Sequence, residues 1–351
     1  MIVITYIGII LAAILVAFII ELLIVALYPG VSAQKQSLAK RIRPQNAEAN
    51  RSGNRKYVSF KVEGESISAW VYFPENRSSS VPCIVMGHGL GGIKNMALDS
   101  YAVRFQEAGM AVLAFDYRYL GESDGQPRQL IWIPYQLQDY AAAIEYARNL
   151  EGIDPLKIAL WGTSLSGGHV IVTAARDNRI ACVSAQCPLL DGSAMYEQQL
   201  HRAGIKHSLR MIVHGQRDLV RSWLRLSPHK IPLVGKQGTL AIMADIDAWN
   251  TFEELAPDDF VNEACARISL RMDKYRPIRW ADKIRCPVLI QACDYDVALP
   301  LKVVEKIANR LGKLVEVIHY PIGHFDIYRG KNFETAVNDQ IAFFKKHLLE
   351  G

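Results

Sequence analysis

Three short stretches carry side chains able to act together on a carbonyl group. GTSLSGG (162–168) sets Ser164 between an apolar run, KIALW, and a helical stretch, HVIVTAAR. DYDVALP (294–300) follows the apolar run CPVLIQAC, and PIGHFD (321–326) follows LVEVIHY. A serine hydroxyl becomes a useful nucleophile only with a general base beside it, and the base needs a carboxylate to orient it. Ser164, Asp296 and His324 meet that need in chain order, each just beyond a strand-like run. Asp294 is the alternative acid. Asp296 is preferred because it lies farther into its loop, shortly before the Pro300 that opens the next helix. Asp326 is expected to help hold the histidine loop.

A nucleophile on a strand-to-helix turn needs small neighbours two positions to either side, and Gly162 and Ser166 supply them. The helix that follows points its first amides at the site and favours negative charge there. The amide of Leu165 is therefore the first expected oxyanion donor. The second is expected from the loop His88-Gly89-Leu90-Gly91-Gly92, with Leu90 as donor. Residues 87–92 also match GxGxxG after a strand, and Asp116 ends the next strand as a ribose-binding acid would. A lone GxGxxG is a weak signal, and a dinucleotide site leaves Ser164, Asp296 and His324 unexplained. His88 is expected to support its loop, His169 to pack or lie at the surface, and His319 to be buried and hydrogen-bonded. Asp116 and Arg118 are expected to stabilise loops.

These residues need a frame. The runs CIVMGHG, AVLAFDY, KIALWGTS, IACVSAQC, CPVLIQACD and LVEVIHY are short and continuously apolar, as strands buried on both faces are. Helical patterns such as ALDSYAVRFQEAG and YQLQDYAAAIEYARNL lie between them. The alternation predicts an α/β fold with a mostly parallel central sheet flanked by helices. In such a sheet, functional groups collect at the carboxyl ends of the strands. YVSFKVEGESISAWVYFP (57–74) predicts an antiparallel hairpin ahead of it. From 191 to 283 the alternation lapses, and a helical cap is expected before the last two strands. The core is then 57–190 together with 284–351.

The segment IKHSLRMIVHGQRDLVRSWLRL in that cap sets Ile205, Leu209, Ile212, Leu219, Trp223 and Leu226 among many Arg and Lys. One reading is a helix whose apolar face covers the cleft. The other is an interfacial helix lying among anionic headgroups.

Half of the 351 residues are hydrophobic and the net charge is +5, too mild and too evenly spread to argue for nucleic acid. The six cysteines show no CxxC and no zinc spacing, and read as buried free thiols. Residues 2–28 are apolar apart from Thr5 and Glu21, long enough to cross a bilayer. The rival is a cleaved signal peptide, but no Lys or Arg precedes the run and it is too long for a signal core. An uncleaved single-pass anchor is expected. Lys35, Lys40, Arg41 and Arg43 in the basic linker 29–56 place the catalytic domain on the cytoplasmic side.

HGLGG, FDYRYLGESDG (115–125), GTSLSGG, DYDVALP and PIGHFDIY together resemble the α/β-hydrolase superfamily, over roughly 57–349. The serine turn is similar to that of dienelactone-hydrolase-like and X-prolyl dipeptidyl-peptidase-like branches. Ser166 departs from the usual second glycine, and Cys293 stands where glycine often precedes the acid loop. The resemblance implies nucleophile Ser164, acid Asp296, base His324 and oxyanion amides from Leu90 and Leu165. It implies hydrolysis of a carboxylic ester or thioester through an acyl-enzyme, with no cofactor or metal. An acyltransferase, a peptidase and a catalytically silent ligand-binding member are the alternatives. The expected partners are a small acyl-containing substrate, lipid-like in one reading, and the membrane itself.

Overall fold

The computed structural model describes residues 2–27, 55–75, 80–258, 260–296 and 298–350. The basic residues of the expected linker up to Arg51 lie outside the described residues. Arg55 and Lys56, placed by sequence in that linker, instead open the first strand.

Helix α1 (Ile2–Leu27) comes first. Its Thr5–Ile24 segment has a mean hydropathy of 3.1 with none of it buried. At 1.5 Å per residue these 20 residues reach about 30 Å, the thickness of a hydrocarbon core. Strands β1 (Arg55–Val62) and β2 (Glu65–Tyr72) form the expected hairpin. Its turn uses left-handed backbone at Glu63 and Gly64, which matches the right-handed twist of the paired strands.

The parallel part of the sheet comprises β3 (Val81–Gly87), β4 (Ala111–Phe115), β5 (Ile153–Thr163), β6 (Cys182–Gln186), β11 (Val288–Cys293) and β12 (Val315–Tyr320). The strand order is β1-β2-β4-β3-β5-β6-β11-β12, with β1 and β2 antiparallel to their neighbours and the remaining pairs parallel. The chain leaves β3 toward β4 and then crosses back to β5, so the strand order reverses beside β3 and opens a crevice at the carboxyl ends.

Alternate side chains of the central strands feed opposite layers. Cys83 and Val85 of β3 join one core with Leu137, Tyr140 and Val170, whereas Ile84 and Met86 join another with Tyr101, Phe105 and Phe344. Helices α3 (Ile133–Arg148), α4 (Leu165–Ala174) and α7 (Leu301–Leu311) cover the first face; α2 (Leu98–Glu107) and α8 (Gly330–Leu348) cover the second. Period-two burial on both sides is why these strands read as unbroken apolar runs.

The cap lies between β6 and β11, as expected. It holds the long helix α5 (Gly192–Trp223), short pairs β7 (Lys230–Ile231) with β10 (Ala264–Cys265) and β8 (Val234–Gly235) with β9 (Met243–Ala244), and helix α6 (Ile246–Leu255). Gly204, at φ 78° and ψ 166°, breaks α5 into two rods. Asp218 of α5 is fully buried and binds the Arg267 guanidinium at 2.5 Å, which clamps the cap together.

A buried amide network crosses the second face of the sheet. Trp161 Nε1 donates to Gln340 Oε1 at 3.0 Å, and Gln340 Nε2 donates to Gln186 Oε1 at 2.9 Å and to Gln291 Oε1. Gln186 in turn donates to Thr163 Oγ1 at 3.2 Å, the residue before Ser164. Losing the central member strands several buried polar atoms, at about 1–3 kcal/mol each. Gln340→Leu is therefore expected to lower stability by about 3 kcal/mol in urea unfolding. Substitution of the exposed Lys345 by Ala should change it by less than about 0.5 kcal/mol.

Candidate active site

Strand β5 ends at Thr163, and α4 begins at Leu165. Between them Ser164 adopts φ 55° and ψ −117°, a left-handed backbone that costs a non-glycine residue about 1–3 kcal/mol. Two hydrogen bonds hold it there: Ser164 N donates to Gln186 O at 2.9 Å, and Leu189 N donates to Ser164 O at 2.8 Å. The turn is tight enough that a Cβ on Gly162 would sit 2.2 Å from Ser166 O. This explains the glycine. Ser166 does more than fit a confined space. Its buried hydroxyl lies 2.5 Å from Tyr117 OH and donates to His88 O, tying the serine turn to the loop after β3. Leu165 is buried in the first turn of α4, with its amide at the helix N-terminus.

The His88–Gly92 loop lies directly over Ser164. A Cβ on Gly89 would meet Ser164 Cβ at 3.0 Å, so the backbone there approaches the serine as closely as glycine permits. His88 Nδ1 accepts from Gly89 N at 2.7 Å, which leaves Nε2 to donate to Met96 O at 2.8 Å. Burial lowers the His88 pKa to about 4, so the ring is neutral and serves as a strut. Asp116 is committed elsewhere: it accepts from Lys94 N and Lys94 Nζ, each at 2.7 Å, in full burial. A ribose-binding role is thereby removed, and with it the dinucleotide reading. Arg118 likewise binds Asp139 at 2.6 Å, a loop-stabilising pair.

The two acid candidates separate cleanly. Asp296 Oδ2 lies 2.5 Å from His324 Nδ1, and both side chains are only 4% exposed. Its other oxygen accepts from Ala298 N and Leu299 N at 2.8 Å each, which fixes the carboxylate. Asp294 instead faces His319, at 2.7 Å. The expectation that His319 is buried is not met: its side chain is 48% exposed, because β12 is the edge strand. Asp326 accepts from Gly323 N at 2.9 Å and braces the histidine loop as anticipated. His169 is fully buried, between Tyr275 OH at 2.7 Å and Gln136 at 3.1 Å, and serves packing.

Burial disfavours a charged imidazolium at His324, but the Asp296 carboxylate and the neighbouring Cys187 sulfur outweigh it and hold the pKa well above 6.5. Cys187 was not singled out by sequence. It follows β6, lies 3.6 Å from Thr163 Oγ1 and 3.7 Å from Tyr328 OH, and sits close enough to His324 to help raise its pKa. Tyr328 OH also bonds Thr163 Oγ1, so the residue beside Ser164 is anchored from the histidine side as well. All six cysteines are free and buried. Among the described residues, no three His, Cys, Asp or Glu side chains cluster as metal ligands would.

Ser164 and His324 line one open pocket, together with Gly89 and Leu90. Its remaining walls are largely apolar, with Met243, Phe252 and Leu255 from the cap and Phe325 from the histidine loop. The cap wall thus comes from β9 and α6. Residues 205–223 of α5, which one sequence reading placed over the cleft, do not line it. Helix α5 packs on the turns Ala266–Leu270 and Met272–Lys274, and only its first rod reaches the acid loop, where Gln198 donates to Asp296 O at 3.2 Å.

Residues 82–211 match the family model described as alpha/beta hydrolase fold. The chain is 41% identical to the quorum-quenching protein AidA of Acinetobacter baumannii, over 82% of this chain and 94% of that protein. It is 37% identical to the thiohydrolase aneE of Aspergillus aculeatus over 38% of this chain and 41% of that one, and two other relatives are named as a polyketide transferase and an acyltransferase. The crystal structure of the α/β hydrolase GrgF from Penicillium sp. sh18 superposes with a TM-score of 0.70 at 24% identity, covering 84% of this chain and 99% of that one. Sheet order, serine turn and relatives agree: the chain belongs to the α/β-hydrolase family.

Proposed function

We propose that the protein is a membrane-anchored serine hydrolase that cleaves a carboxylic ester or thioester through an acyl-enzyme on Ser164. The observation that carries this reading is the buried Asp296–His324 pair at 2.5 Å, sharing one cavity with a serine held in a left-handed turn. Asp296 holds Nδ1 and leaves Nε2 as the base. His324 takes the Ser164 proton as Oγ attacks the acyl carbon. The amides of Leu90 and Leu165 receive the oxyanion. The intermediate collapses, and the departing alkoxide or thiolate takes the proton from His324. His324 then deprotonates a water, which attacks the acyl-enzyme and releases the acid with Ser164 reprotonated. The steps use neither metal nor cofactor.

Apolar walls at Met243, Phe252, Leu255 and Phe325 suit an aliphatic or aromatic acyl group. The thiohydrolase relative supports a thioester among the substrates. The second reading replaces water by an acceptor alcohol or thiol, and the relatives named as transferases favour it over a peptidase. A catalytically silent ligand-binding protein would have no need of an oriented, buried acid–base pair. The serine turn keeps its resemblance to the dienelactone-hydrolase-like and X-prolyl dipeptidyl-peptidase-like branches. The anchor is α1, with the basic residues Lys35, Lys40, Arg41 and Arg43 setting the catalytic domain on the cytoplasmic side.

A fluorophosphonate probe is expected to label the wild type and not Ser164→Ala; an unlabelled wild type would remove the catalytic claim. Asp296→Asn should lower kcat on a soluble ester by on the order of 10⁴, by releasing the wrong imidazole tautomer. Asp294→Asn should change it less than about threefold, since that carboxylate serves only a half-exposed edge-strand pair. The reverse ranking would show that the acid is misassigned. His324 must be neutral to accept the serine proton, and its pKa is raised. Activity is therefore lost as pH falls, and kcat/KM should rise with pH through an apparent pKa above 6.5. A limb centred at or below that value contradicts the arrangement.

A further inference from the structure

Helix α5 carries an apolar line on its outer face as well as on its inner one. Ile205, Leu209 and Val213 stand four residues apart on one line, and each is more than half exposed. Trp223 and Leu224 continue the exposed apolar surface at the end of the helix, at 64% and 51%. The face turned into the protein carries Met211 and Val220 together with His207, Ser208, Gly215 and the buried Asp218 that binds Arg267. A helix that buries one apolar face and still exposes a second line of large apolar side chains offers that line to a partner.

Two observations specify that partner. Residues 202–225 contain six Lys and Arg and one acid, and that acid, Asp218, is neutralised inside the cap. Lys206 and Arg210, both exposed, interleave with the apolar line. Apolar side chains flanked by basic ones, with a tryptophan at the helix end, form the pattern of a helix lying in a lipid interface. In addition, α1, the segment long and apolar enough to cross a bilayer, approaches α5.

We propose that the outer ridge of α5 docks on an anionic lipid surface, with Ile205, Leu209, Val213 and Trp223 in the headgroup–acyl boundary and Lys206 and Arg210 on lipid phosphates. The proposal rests on the reading of α1 as an anchor. It also sets the site's position. Arg202 of α5 binds Asp245 at 3.1 Å, the cap residue of α6, and α6 supplies Thr251, Phe252 and Leu255 to the cavity. Docking of the ridge thus places the cavity's apolar wall near the leaflet, where a lipid-like acyl substrate would be found.

The test uses the full chain in nanodiscs of phosphatidylcholine, with and without phosphatidylglycerol. Leu209→Cys is labelled with a nitrobenzoxadiazole fluorophore, the native cysteines being buried. In anionic discs the emission is expected to shift to shorter wavelength and to be quenched by lipids carrying a nitroxide near the headgroup. Lys206→Glu/Arg210→Glu should reverse both effects, and high NaCl should do so without any substitution that could disturb folding. A label that stays water-exposed in both discs, or shifts equally in both, overturns the proposal. So does a label already shielded in detergent without lipid, which would mark a protein partner. Alkaline extraction of membranes reads the anchor separately: a chain that resists it while the label remains in water keeps the anchor and loses the ridge. A chain that is extracted loses the anchor itself.

Discussion

The left-handed backbone at Ser164 is the constraint around which the site is organised. A strand that ends one residue before a helix begins must turn within a single amino acid, and that residue pays with φ 55° and ψ −117°. The conformation persists because the surroundings over-determine it. Gln186 and Leu189 hold its backbone from the neighbouring strand, and Gly162 leaves room for the carbonyl of Ser166. The Ser166 hydroxyl fastens the turn to the loop at His88. The same geometry lifts the Ser164 side chain to the floor of the cavity and aims the first amides of α4 at it. Strain, position and electrostatics thus arise from one turn.

The histidine is governed by a second constraint, the burial of an acid–base pair. Asp296 and His324 are both almost fully sequestered, so each needs the other and neither can turn away to water. Backbone amides at 298 and 299 donate to the carboxylate and fix its orientation. The buried amides of Gln186, Gln291 and Gln340, with Trp161, knit the strands that bear the serine and the acid to helix α8 behind them. The loops carrying the chemistry are therefore attached to a stiff frame, as precise positioning requires.

The order Ser, Asp, His and the strand ends on which they sit were legible because burial on both faces writes parallel strands as continuous apolar runs. The choice between Asp294 and Asp296 was argued from loop position, and its physical reason appears only in three dimensions: Asp294 faces the edge-strand His319. An apolar run cannot distinguish an edge strand from a central one, which is why His319 was expected inside. Ser166 was understood as a small residue, but its two hydrogen bonds join segments far apart in sequence and leave no local trace. The glutamine network is equally silent, since single polar residues in strand runs do not announce their partners. For the cap, the apolar residues of α5 were visible and their direction was not. Only the fold shows that α6 and β9 wall the cavity while the Ile205–Trp223 part of α5 does not line it.

The central claim is that Ser164 carries the acyl group. It is tested most directly by quenching turnover of a slowly hydrolysed ester in acid and mapping the adduct by peptide mass spectrometry. The account requires an acyl group on the peptide containing Ser164, formed within the first turnover and absent from Ser164→Ala. An acyl group on Cys187, the sulfur that helps raise the pKa of the same imidazole, or turnover with no covalent adduct on Ser164, would contradict it.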